Sequence, residues 1–188
     1  EFLPGQAKFD DPTSRARFEQ AWDVTLPAGQ SGADLLEILE RCRKGLIKAL
    51  YIIGENPLAT LPASSEVKAA LEKLSLLIVH DPFLTETGQL AHFVLPASTY
   101  AEKDGTFTNL EGKVLRVRQA LDPIGESLPD WHIMTALANG LGHQWMYESA
   151  QDIQNEIMKL LPGYYNLGEA RPLVARPEEY LANDYVRE

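Results

Sequence analysis

The feature that most constrains the fold is a repeated pairing of an amphipathic segment with a short apolar run that ends in a chain reversal. Residues 33–44 carry Leu35, Leu36, Ile38, Leu39 and Cys42 at helical spacing, and Gly45 stands where a helix C-terminus favours positive φ. Ala49-Leu50-Tyr51-Ile52-Ile53 follows, closed by Gly54-Glu55-Asn56-Pro57. A run of apolar and β-branched residues bounded by Gly and Pro reads as a buried strand. A second helix is predicted over 64–74, with Val67, Ala70, Leu71 and Leu74 inward. Strands are predicted at 76–80 and 93–95, the latter closed by Pro96. Alternation of this kind predicts an α/β, Rossmann-like layered fold: a short, mostly parallel sheet, right-handed crossovers and helices on both faces.

The rhythm breaks after Thr99. Lys103-Asp104-Gly105-Thr106 has hairpin turn chemistry, and Val114, Leu115 and Val117 interleaved with Arg116 and Arg118 read as a half-exposed strand, so a hairpin insertion is expected. Two further helices follow. One is capped by Asp130, with Trp131, Met134, Leu137, Ala138 and Leu141 on a face, and the other is capped by Ser149 with Asp152 three residues on. Upstream, Thr13 can cap a short helix that sets Phe18 and Trp22 four apart. The expected division is a lead-in over 1–30 packed on the core, an α/β domain over 31–147, and a helix with an extended tail over 148–188.

Charge and cysteine usage narrow the function. Seventeen Lys and Arg against 27 Asp and Glu give a net charge of −10, a field that repels phosphate backbones and argues against nucleic-acid binding. No apolar run approaches the roughly 18 residues of a membrane helix, so direct membrane insertion is not expected. Cys42 is the only cysteine, too few for an internal disulfide or an iron–sulfur cluster. Without a leader-like segment, the chain reads as cytoplasmic in type and as a piece of something longer. No G-x-G-x-x-G, P-loop or G-x-S-x-G string occurs, and His80, His92, His132 and His143 lack metal-ligand spacing.

In an open parallel sheet, ligands bind outside the carboxyl ends of the strands. Two such ends are visible. Gly54, Glu55, Asn56 and Pro57 combine close backbone approach, a carboxylate, an amide and a rigid exit. His80, Asp81, Thr85 and Thr87 follow the second strand, with Asp81 able to accept the paired N–H donors of guanine or a ribose hydroxyl and the threonines offering hydroxyls. The same residue types also serve as turn and capping groups. Glu102 and Asp104 flank a turn and are expected to be solvated.

Several strings resemble the molybdopterin oxidoreductase family: Lys48-Ala49-Leu50-Tyr51-Ile52-Ile53-Gly54-Glu55-Asn56-Pro57, Asp81-Pro82-Phe83-Leu84-Thr85-Glu86-Thr87, Val94-Leu95-Pro96-Ala97, and Ala101 through Asn109 with Glu111-Gly112-Lys113-Val114. Pro129-Asp130-Trp131, opening a helix that ends in Leu141-Gly142, fits the same pattern. The flavour is that of the formate dehydrogenase α subunit and of the large iron–sulfur subunit of NADH-quinone oxidoreductase. The resemblance implies the third domain of such an enzyme, which grips the guanosine and pyrophosphate end of a molybdopterin guanine dinucleotide carrying molybdenum or tungsten. It places Gly54, Glu55, Asn56 and Pro57 on the first nucleotide loop and His80, Asp81, Thr85 and Thr87 on the second, with Asp104 near the cofactor or an interdomain contact. It further implies an iron–sulfur cluster and the metal-ligating residue elsewhere in a parent oxidoreductase, with the parent's other domains and electron-transfer subunits as partners. The fragment alone is then not catalytically competent. Lys113 stands where the family has Arg, keeping the charge but losing the planar fork. The likeness to the NADH-quinone oxidoreductase subunit implies an alternative, a cofactor-free structural module.

Overall fold

A computed structural model describes residues 2–27, 32–110 and 113–161. In chain order the elements are β1 (Phe2–Leu3), β2 (Ala7–Lys8), α1 (Pro12–Trp22), α2 (Leu35–Arg43), β3 (Ala49–Ile53), α3 (Pro57–Thr60), α4 (Ser64–Leu71), β4 (Leu76–Asp81), α5 (Glu86–Leu90), β5 (Phe93–Pro96), β6 (Gly105–Thr108), β7 (Val114–Val117), α6 (Asp130–Gly140) and α7 (Ala150–Leu160). Contacts divide the chain into two compact units. One holds 32–103 and 120–145; the other holds the described residues within 1–31, 104–119 and from 146 on.

The first unit is the α/β layer. Its sheet has the order β3-β4-β5, both pairings parallel, with Ala49 opposite Leu76, Ile53 opposite His80, and His80 opposite Leu95. Alternation along the strands sends Ile52, Leu77 and Val79 to one face, where they pack with Leu39 and Cys42 of α2 and Val67, Ala70, Leu71 and the nearby Leu74 from the α4 segment. The opposite face carries Tyr51 and His80, which meet Met134 and Asp130 of α6. The predicted layered fold with helices on both faces is present. Burial lifts the Cys42 thiol above its ordinary range, so it packs as a protonated apolar group.

Local differences from the sequence expectations have identifiable causes. Asp34 caps α2 through a bond from the Glu37 N–H, and Gly45 past its end has φ +70, but Leu35 and Leu36 are exposed because α2 buries only Leu39 and Cys42. Asp130 is not a cap: it is the first residue of α6, after Pro129, and its carboxylate is committed to Lys103. The face of α6 that is buried centres on Ile133 and Thr135, leaving Leu137 and Leu141 exposed. Glu102 is buried rather than solvated, since it closes a capping box with Thr99.

The second unit has its own small core. Leu3, Phe18 and Leu161 are buried together, with Phe9, Ile157 and Leu160 against them, so the lead-in packs on α7. Asp11, not Thr13, caps α1, accepting from the Ser14 N–H at 2.7 Å. Strands β6 and β7 form the expected antiparallel hairpin, Gly105 opposite Val117. Its turn is not Asp104-Gly105, however. Gly105 already pairs in β6, and the pairing runs on to Thr108 opposite Val114, with the Asn109 N–H donating to the Lys113 carbonyl at 2.9 Å. Ser149 caps α7 as expected, its hydroxyl exchanging hydrogen bonds with the N–H and carboxylate of Asp152. The predicted extended tail after Pro162 lies outside the described residues.

Candidate functional site: the β3 and β4 strand ends

The two predicted loops are neighbours because β3 and β4 pair directly, and the Gly54 N–H continues the ladder by donating to the His80 carbonyl at 2.8 Å. Gly54 adopts φ +61, and a Cβ built there meets nothing within 4 Å, so the glycine serves the turn and leaves open space above it. Glu55 is exposed, one oxygen accepting from its neighbour's N–H at 3.1 Å and from the Thr60 hydroxyl at 2.8 Å.

Asn56 stitches the loops together. Its Nδ2 donates to Glu86 Oε2 at 2.7 Å, and its Oδ1 accepts from the Thr87 hydroxyl at 2.7 Å and the Thr87 N–H at 3.3 Å. The bond from Asn56 holds the exposed Glu86 carboxyl below its ordinary range. Thr87 is fully buried, and its hydroxyl oxygen also accepts from the Leu58 N–H at 3.3 Å. Thr85 caps α5 through the Gly88 N–H at 3.1 Å, and Pro57 is buried as the first residue of α3. These three side chains brace the loops from within.

Asp81 ends β4 and is 8% exposed. Its Oδ1 accepts from the Phe83 N–H at 2.8 Å, which fixes the carboxylate in a tight turn, while its Oδ2 has no partner among the described residues. That oxygen is not among the fully buried unpartnered atoms, so it stands at the surface of the strand end, where an N–H donor can reach it. Phe83 and Leu84, at the tip of the same loop, are exposed apolar groups.

His80 lies beneath the loops, wholly buried. Its Nδ1 hydrogen-bonds the Tyr51 hydroxyl at 2.8 Å; its Nε2 is 3.2 Å from Asp130 Oδ1 but is not aligned to bond it. Lys103 Nζ occupies the other Asp130 oxygen and donates to the Ser98 carbonyl at 3.0 Å. Burial holds the imidazole below its ordinary range; Asp130 and Asp81 oppose that and Lys103 reinforces it. Burial also raises the Tyr51 phenol, and Asp130 adds to it. His80 is thus a neutral interior group that props the strand end. Asp104 falls in the second unit, where it accepts from the Gln119 N–H at 3.1 Å.

Nothing in the sequence pattern singles out Glu86, Tyr51, Lys103 or Asp130 as supports of this region. Asn56 and Glu86 are 30 residues apart and Lys103 and Asp130 are 27 apart, and no periodicity links such pairs. Among the described residues no group of His, Cys, Asp and Glu could hold a metal ion, and no helix is long and apolar enough to cross a membrane.

Known proteins resemble this chain in sequence and in fold. The chain is 43% identical over 162 residues to the probable oxidoreductase YjgC of Bacillus subtilis, an alignment covering 86% of this chain and 16% of that one. It is 45% identical over 164 residues to the F420-dependent formate dehydrogenase subunit alpha of Methanocaldococcus jannaschii, covering 86% and 24%. It is 42% identical over 156 residues to the NADPH-Fe(3+) oxidoreductase subunit alpha of Geobacter sulfurreducens, covering 83% and 18%. The chain therefore spans between 16% and 24% of the length of these relatives. Among solved structures, acetylene hydratase from Pelobacter acetylenicus shares the fold with a TM-score of 0.61 at 20% identity, over 78% of this chain and 22% of that one. The molybdopterin oxidoreductase family model matches residues 16–140, a stretch that takes in both strand-end loops and the helix that braces the sheet behind them, and the chain belongs to that family.

Proposed function

We propose that the β3 and β4 strand ends hold the nucleotide end of a molybdopterin guanine dinucleotide in a formate dehydrogenase-like parent oxidoreductase. The observation that carries this reading is the Asp81 carboxylate: mostly buried, oriented by the Phe83 N–H, and with its second oxygen accessible and without a partner among the described residues. Guanine presents adjacent N1–H and N2–H donors, and a carboxylate so held accepts both without reorganising. Open space above Gly54 and the exposed carboxylate of Glu55 leave room and an acceptor for the ribose. The residues present fit such a group, with roles divided. Asp81, Gly54 and Glu55 would face it; Asn56, Pro57, Thr85, Thr87 and His80 fix the loops that carry them.

When bound, the cofactor supplies a metal centre that exchanges two electrons with substrate. This chain's part is to bind and orient the distant nucleotide tail. The formate dehydrogenase subunit among the relatives supports the substrate class. The remaining domains of the parent, with an iron–sulfur cluster among them, and its electron-transfer subunits are the partners under this reading. The test is Asp81→Ala in the full-length parent, assayed for bound molybdenum or tungsten and for guanine nucleotide released on denaturation. Both should fall together. Unchanged contents would overturn the assignment, and a wild-type parent that holds no pterin would identify the chain as a cofactor-free structural module.

A further inference from the structure

The second unit contains a pocket that the proposed cofactor reading does not use. It measures about 250 Å³, opens to solvent and lies at the N-terminus of α7, lined by Asp104, Arg116, Ser149, Ala150, Gln151 and Gln154, among others. Several donors among its lining residues have no acceptor among the described residues. The N–H groups of Ala150 and Gln151 belong to the first turn of an eleven-residue helix, where no backbone partner exists and the helix dipole is positive. Ser149 is occupied with Asp152 and does not satisfy them. Arg116, exposed on β7, makes no hydrogen bond or ion pair with any described residue.

Gln154 is the independent observation. It is 4% exposed, its Oε1 accepts from the Thr106 hydroxyl at 3.4 Å, and its Nε2 is buried with no partner among the described residues. A buried amide N–H without an acceptor is costly to keep, and a residue of the same size without polar atoms would avoid that cost. Its place beside two free backbone donors and a free guanidinium points to an oxyanion as the missing acceptor.

We infer that this pocket binds the carboxylate of a small monoanionic organic acid. Charge decides between the oxyanions. Arg116 and Asp104 cancel, and the Asp152 carboxylate in the first turn of α7 already opposes the positive helix end, so nothing is left to offset a second negative charge on a ligand. A monoanion is therefore opposed far less than a phosphate dianion. The planar fork of Arg116 also matches a carboxylate.

The experiment is an NMR titration of the 15N-labelled chain with acetate and, separately, inorganic phosphate at constant ionic strength. Resonances of the Gln154 side-chain amide and the Ala150 and Gln151 N–H groups are followed. Acetate should move all three along one saturating curve, at lower concentration than phosphate, and Arg116→Gln should weaken the response about tenfold. Gln154→Leu should abolish the response while leaving the melting temperature of the acetate-free chain equal or higher. Non-saturating shifts, shifts indifferent to Arg116→Gln, or tighter phosphate binding would overturn the proposal. A lower melting temperature for Gln154→Leu would do so too, because it would make the amide a structural group.

Discussion

Replacing Asn56 by alanine tests the idea that the two strand-end loops are one locked unit. The change removes the acceptor for the Thr87 hydroxyl, bonded at 2.7 Å and fully buried, and for the Thr87 N–H at 3.3 Å. A buried hydroxyl left unpaired costs about 1–3 kcal/mol, and loss of the longer backbone bond adds about 0.5–1 kcal/mol, so Asn56→Ala should destabilise by about 1.5–4 kcal/mol. Thr87→Val removes the same hydroxyl but leaves the half-buried Asn56 amide within reach of water. Its cost should be smaller, about 1–2 kcal/mol including the lost acceptor for the Leu58 N–H. The double variant leaves no orphaned hydroxyl and should fall short of the sum by about 1–2 kcal/mol. Urea unfolding with an unchanged m value reads all three. An Asn56→Ala variant within about 0.5 kcal/mol of the parent, or strict additivity in the double, would refute the locked-loop argument.

Other outcomes follow from the same structure. His80 is neutral and buried, so below roughly pH 6.5 the unfolded chain binds more protons than the folded one. Its contribution to stability is fully present above that pH and is lost as pH falls through it toward the lower native value. Urea midpoints should therefore drop between pH 7.5 and 5, and His80→Gln should flatten that part of the slope; equal slopes in the two proteins would contradict it. Ala63, at the N-terminus of α4, adopts φ +57, so Ala63→Gly should raise stability by about 1 kcal/mol, read in the same unfolding assay. Little change or a loss there would mean that the left-handed alanine carries no cost.

Much of the α/β layer was legible because its signals are local. The run 49–53 is a strand at those residues, and Val67, Ala70, Leu71 and Leu74 are all buried. Gly45 takes the positive φ expected of it, and Ser149 caps α7. What escaped depends on long-range pairing. Leu35 and Leu36 have the right spacing for a buried face, yet α2 turns them outward because β3 and α4 take up only Leu39 and Cys42. Asp130 looks like a cap, but the Lys103 ammonium claims its carboxylate across 27 residues. The two strand-end loops do lie side by side, because β3 and β4 pair, but which of their side chains are used up inside the protein was not legible. A threonine with a free hydroxyl and one burying it against Asn56 have the same letter, and only the distances show that Thr87 is of the second kind.

The central claim is that Asp81 is poised to receive a purine edge. A structure of the full-length parent with its cofactor bound measures this directly. The guanine N1 and N2 atoms should lie within hydrogen-bond distance, about 2.7–3.2 Å, of the Asp81 carboxylate. A purine seated elsewhere, with Asp81 Oδ2 taken up by a protein donor from another domain, would contradict the account.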